Sequence, residues 1–163
     1  MKTQFINFGV HPSQYAALLL RVTLGVVLIA HGLLKPLVFT MAGTVQFFES
    51  VGFPGFLAYV TVVIEVVAGT LLVLGYRTRE ASLAAVPVLI GAASVHIPNG
   101  WVFSAPNGGW EYPVFLAIAA IVQSLLGDGA YALGNQARTS SKDDAIRAPR
   151  DASIASHKPT HAS

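Results

Sequence analysis

Two ionisable residues stand deep inside long apolar runs: Arg21 within 15–34, a run otherwise broken only by His31 near its end, and Glu65 in the middle of 56–74. Ionisable groups at membrane depth are costly and mark functional sites by default. As chemistry, a buried carboxylate and a buried guanidinium suit a substrate, proton or quinone site. As structure, they suit an ion pair that locks two helices, or an Arg that snorkels while Glu65 stays protonated. At 1.5 Å per residue, Glu65 is about 13 Å from either end of its run and Arg21 about 9 Å from the start of its own. Antiparallel helices would bring the two to similar depth, where a pair lowers the cost of burying either charge.

A second set gathers at the opposite end of the apolar runs: His31, Lys35, His96, Asn99, Trp101, Trp110, Glu111 and Tyr112. One reading is an interfacial aromatic belt with helix-end polar groups. The other is an outer mouth, in which His31, His96 and Glu111 move protons or hold an anionic ligand. His31 and His96 also match bis-histidine haem ligation. Their places at helix ends beside proline-containing loops disfavour a buried macrocycle. His11, His157 and His161 lie in the flanks, and no metal-ligand set emerges. The chain has no cysteine. It therefore offers no disulfide, thiolate nucleophile, iron–sulfur cluster or Cys-ligated zinc of its own, and no covalently bound cofactor is expected.

The elements that position these residues follow from composition. Only 11% of the 163 residues are charged and 53% are hydrophobic, against about 25% charged in a soluble domain. Half of the charges fall at Lys2 or from Arg138 onward. The remaining stretch cannot cover itself with a solvated surface, and it is too hydrophobic for a disordered chain. An all-α integral membrane bundle of four spanning helices is predicted, over about 15–34, 56–74, 81–97 and 113–133. Residues 1–14 form a short N-terminus, and 134–163 a polar, disordered tail. Pro36 is expected to end the first helix, with Lys35 reaching to the interface.

Spacing also predicts faces. Arg21, Gly25, Leu28, Gly32 and Lys35 fall on one stripe, as do Thr61, Glu65 and Gly69. Small residues on such stripes let helices approach closely. Lys and Arg sort by loop: Lys2, Arg77, Arg79 and five tail residues fall on one side, and Lys35 alone on the other. This bias predicts both termini in the cytoplasm. Nothing resembles a basic, aromatic-laced nucleic-acid surface.

The ordered set of Arg21 and Gly25, Gly32-Leu33-Leu34-Lys35, Phe47-Phe48-Glu49-Ser50-Val51-Gly52-Phe53-Pro54, Glu65 and Gly69, Leu74-Gly75-Tyr76-Arg77-Thr78-Arg79, His96, Gly100-Trp101, Glu111 and Gly127-Asp128-Gly129 resembles the DoxX family of small bacterial membrane proteins. The resemblance covers roughly 18–133. The chain departs from the family's usual closing pattern at Tyr131-Ala132-Leu133-Gly134. The resemblance implies a four-helix inner-membrane fold and a component of a quinone-linked or oxidative-stress redox system, acting with a soluble or membrane partner. The absence of cysteine requires electrons to come through a ligand or another subunit. Two other readings stay open: a non-catalytic interaction or scaffold protein, and a small transporter, for which four helices would require a homo-oligomer.

Overall fold

A computed structural model describes residues 11–134. Residues 1–10 and the polar tail from 135 lie outside the described part. The described chain forms α1 (Pro12–Leu37), α2 (Met41–Ser50), α3 (Phe56–Leu74), α4 (Thr78–His96), a 3-10 turn (Ile97–Asn99) and α5 (Glu111–Leu126). The fold is all-helical, with no strand among the described residues. Three helices, α1, α3 and α4 with its 3-10 extension, are long and apolar enough to cross a membrane. At 16 residues, α5 is shorter.

The largest differences from expectation lie in α1, in the loop that follows it and at the end of α5. α1 begins at Pro12, capped by the His11 side chain, and continues through Pro36 to Leu37. A proline in the last turn removes one backbone bond where little helix remains to lose. The expected loop 35–55 contains α2, whose first turn is closed by Thr40 Oγ1 accepting from Gly43 N at 3.1 Å. The hydroxyl of Thr44, buried on α2, lies 2.9 Å from Thr40 O and 3.3 Å from Lys35 O, a shared donor that holds α2 to the end of α1. Finally, α5 stops at Leu126 rather than Leu133. Gly127, Gly129 and Tyr131 all take positive φ, which a right-handed helix cannot accommodate. The apolar residues that made 127–133 read as a span instead fold back over the bundle. Ala130 N donates to Gln14 O at 3.0 Å and Gly134 N to Gly75 O at 2.9 Å, with Ala130 and Ala132 buried.

The bundle closes in a ring: α1 packs on α3, α3 on α4, α4 on α5, and α5 back on α1. Gly25 and Gly69 face each other so closely that a methyl at either would lie 2.7 Å from the other's carbonyl oxygen. That contact sets the register, and it places Gly32 against Glu65 and Val66. The core is Leu24 and Leu28, Ala68 and Leu72, Ala81, Ala85 and Leu89, with Leu116, Ala117, Ala119 and Ala120. The outward faces are apolar as well: Leu19, Val63, Leu83, Ile90, Phe115 and Leu125 are each more than half exposed. Meanwhile Arg21, Glu65, Thr78, Ser82 and Gln123 are buried. Apolar outside and partly polar inside is the pattern of a bundle solvated by lipid. The bundle has a turn end, where α3 passes to α4 and the 127–134 segment folds back, and a loop end, which carries α2 and the long α4–α5 connection.

Candidate functional site at the loop end

The α1–α3 register determines which charges meet. Glu65 stands opposite Gly32, near the loop end of α1, whereas Arg21 lies beside Gly75 at the turn end. The eleven residues from Arg21 to Gly32 correspond to about 16 Å along α1. Arg21 and Glu65 therefore do not pair. Glu65 Oε2 accepts instead from Lys35 Nζ at 2.5 Å. The physical reason is side-chain direction. Helical side chains lean toward the helix N-terminus, so Lys35 reaches back along α1 instead of out to the interface. Its ammonium also donates to His31 O at 3.3 Å. The missing side chain at Gly32 leaves Glu65 room against α1.

The pair is mostly enclosed, with the Lys35 side chain 18% exposed and that of Glu65 8%. His31, one turn before Lys35, is close enough to bear electrostatically on Glu65. Its Nδ1 lies 2.9 Å from Val27 O. A carbonyl only accepts, so Nδ1 donates, and in the neutral ring Nε2 is left as the basic nitrogen. The His31 ring faces Tyr112 of α5, with ring centroids 6.1 Å apart. Lys35, Glu65, His31 and Tyr112 thus form one cluster from three helices.

Tyr112 is also a wall of the adjoining cleft. This cleft holds about 410 Å³ and is lined by Trp101, Phe103, Glu111, Tyr112, Val114, Phe115 and Ile118. The volume falls within the roughly 300–1,000 Å³ usual for small-molecule sites. Phe103 and Phe115 are about two-thirds exposed. Trp101 packs edge-on against Trp110, with centroids 4.3 Å apart.

The other candidates hold the scaffold. Glu111 Oε1 accepts from Phe103 N at 2.8 Å, fixing the α4–α5 connection as one lip of the cleft. His96 Nδ1 lies 3.2 Å from Gly108 O, to which it donates. Asn99 Nδ2 donates to Asn107 O at 3.2 Å. No hydrogen bond or ring contact joins His96 to His31 or to the Lys35–Glu65 pair. At the turn end, Arg21 is 1% exposed. Its guanidinium donates to Leu72 O at 3.2 Å, Val73 O at 3.4 Å and Ala130 O at 3.1 Å. It clasps the end of α3 to the 127–134 segment. Sequence reasoning grouped Tyr112 with the mouth but did not join it to Glu65. It overlooked buried Thr78 and Ser82, whose signal is the inward stripe Thr78, Ser82, Ala85, Leu89 at steps of four, three and four.

The DoxX family model matches residues 16–97. That stretch holds Arg21, His31, Lys35, Glu65 and His96 and ends before the cleft wall on α5. Over 79 residues the chain is 43% identical to the protein named "Putative oxidoreductase CatD" of Bacillus subtilis (strain 168), a match covering 48% of this chain and 58% of that protein. The chain thus spans a little over half the length of this curated relative. No solved structure matches it.

Proposed function

This chain belongs to the DoxX family, and from that premise we propose that it is the membrane component of a quinone-linked redox system. It binds a quinone headgroup at the loop end and works with a partner that supplies electrons. The bundle sits in the bacterial inner membrane with both termini in the cytoplasm, as the Lys and Arg bias favours. One observation carries the reading: a nearly enclosed Lys35–Glu65 pair is joined through His31 and Tyr112 to an aromatic cleft.

Each part fits the demands of a quinone. Its ring stacks on or against aromatic side chains, which Trp101, Phe103 and Phe115 offer. Its isoprenoid tail requires an opening to lipid, and Phe115 and Ile118 lie exposed on the outward face of α5. Reduction to the quinol takes up two electrons and two protons. Lys35, His31 and Tyr112 are proton-bearing groups beside the cleft. Without cysteine, the described residues provide no electron carrier, so the electrons come from a redox partner. The name of the Bacillus subtilis relative agrees with an oxidoreductase context.

Both tryptophans of the chain lie at this site, Trp101 on the cleft and Trp110 against it. Their fluorescence therefore reports occupancy. Titrating the protein in nanodiscs with a short-chain benzoquinone should give saturable quenching. The double variant Lys35→Met/Glu65→Met, which leaves no orphan charge, and Tyr112→Leu, each checked for a native-like melt, should weaken the apparent affinity at least tenfold. Quenching that rises linearly with quinone and is the same in all three proteins would defeat the proposal.

A further inference from the structure

At the turn end, the inward stripe of each contributing helix changes from apolar to polar. Arg21 precedes Leu24 by three residues, Thr78 and Ser82 precede Ala81 and Ala85 by three, and Gln123 follows Ala120 by three. Those four apolar residues all belong to the core. Arg21, Thr78, Ser82 and Gln123 thus form a polar layer at the turn-end margin of that core, and each is 1% exposed or less.

Some of their polar groups are satisfied. The Arg21 terminal nitrogens donate to three carbonyls, and Gln123 Nε2 donates to Gly127 O at 2.8 Å. Four atoms meet no partner among the described residues: Arg21 Nε, Thr78 Oγ1, Ser82 Oγ and Gln123 Oε1. Buried polar atoms in natural proteins are almost always bonded to protein or to ordered water. The Ser82 hydroxyl is informative, because hydroxyls in membrane helices usually bond back to their own helix. Thr70, Ser94 and Ser124 do so, each at 2.7 Å. Ser82 does not, and Thr78, the first residue of α4, has no preceding turn to bond to.

The chemistry of the four atoms names their ligand. They comprise one N–H donor, one carbonyl acceptor and two hydroxyls that both donate and accept. A metal cation is disfavoured by the guanidinium. An anion would face the Gln123 oxygen, and the Arg21 charge already has three carbonyls and Asp128 within electrostatic range. Water, which donates twice and accepts twice, matches the set and the two to four partners that an internal water requires. We propose that the turn end encloses ordered water held by Arg21 Nε, the Thr78 and Ser82 hydroxyls and the Gln123 carbonyl. Leu24, Leu28, Ala68 and Leu72 lie between this layer and Glu65. The water is therefore structural rather than a conduit to the loop end, and it does not depend on what binds there.

Water-edited solid-state NMR of the full chain in lipid bilayers tests this directly. Magnetisation from water should reach the side chains of Ser82, Thr78 and Gln123 as fast as it reaches exposed Arg79, while Leu24 and Ala85 stay slow. Build-up at Ser82 and Gln123 as slow as at Leu24 would overturn the proposal. Melting of Ser82→Ala, Thr78→Val and Gln123→Met supplies a second arm. Loss of a hydrated partner lowers each melting temperature, whereas removal of an atom buried dry and unpaired leaves it unchanged or raises it. An unchanged or raised value for all three variants would also overturn it.

Discussion

Lys35 and Glu65 form the only ion pair between two membrane helices among the described residues. Truncating one partner leaves the other charge enclosed and uncompensated, at a cost of about 3–5 kcal/mol for a buried pair. Lys35→Met should lose a stability of that order in detergent-micelle unfolding. The double variant Lys35→Met/Glu65→Met should recover most of it, because no orphan charge remains. A double variant as unstable as the single one would show that the side chains act by shape and not by charge. The burial of Arg21 and Glu65 was legible in the sequence, since each interrupts an apolar run. Their partners were not. Depth estimated from the ends of hydropathy runs carries no information on helix register, which the Gly25–Gly69 contact sets. Lys35 was misplaced for a related reason: a Lys near a helix end can point outward or lean back, and only the space opposite Gly32 decides.

At the scale of elements, Gly25 and Gly69 do what Arg21 and Glu65 were expected to do: they lock α1 to α3. Backbone touches backbone there, and a Cβ on Gly25 would meet Gly69 O and Val73. Gly25→Leu should force the helices apart and destabilise the bundle by about 1–3 kcal/mol or more, as overpacking does. It should also weaken the distant Lys35–Glu65 pair by shifting its register. The check is unfolding together with an inter-helix distance measured by spin labels on exposed Leu19 and Val63. An unaltered distance and an unaltered midpoint would contradict the packing described. The small-residue stripe through Gly25 was readable from spacing, and so were the apolar spans. The short helix α2 was not, because ten residues with mixed polarity between two spans read as loop. The fold-back of 127–134 was also missed. Apolar residues there promised helix, while three positive-φ positions, two at glycine and one at Tyr131, decided otherwise.

At the scale of the whole molecule, the two ends have different chemistry. The turn end is closed by Arg21, the 127–134 segment and a buried polar layer. The loop end is open, with a charged cluster against an aromatic cleft. Composition placed the chain in a membrane, because its outward faces had to be apolar and its few charges had to go to ends or interior. Composition could not distinguish the two ends, since both polar sets are small and lie on the same helices. The asymmetry gives the functional claim its location. A photoreactive quinone analogue, irradiated with the protein in lipid and mapped by mass spectrometry, tests that claim most directly. Labelling should concentrate on 98–118 and 31–39, be displaced by unlabelled quinone and fall sharply in Tyr112→Leu. Labelling spread along the lipid-facing residues of every helix, or confined to the turn end around 127–134, would contradict a quinone site at the loop end.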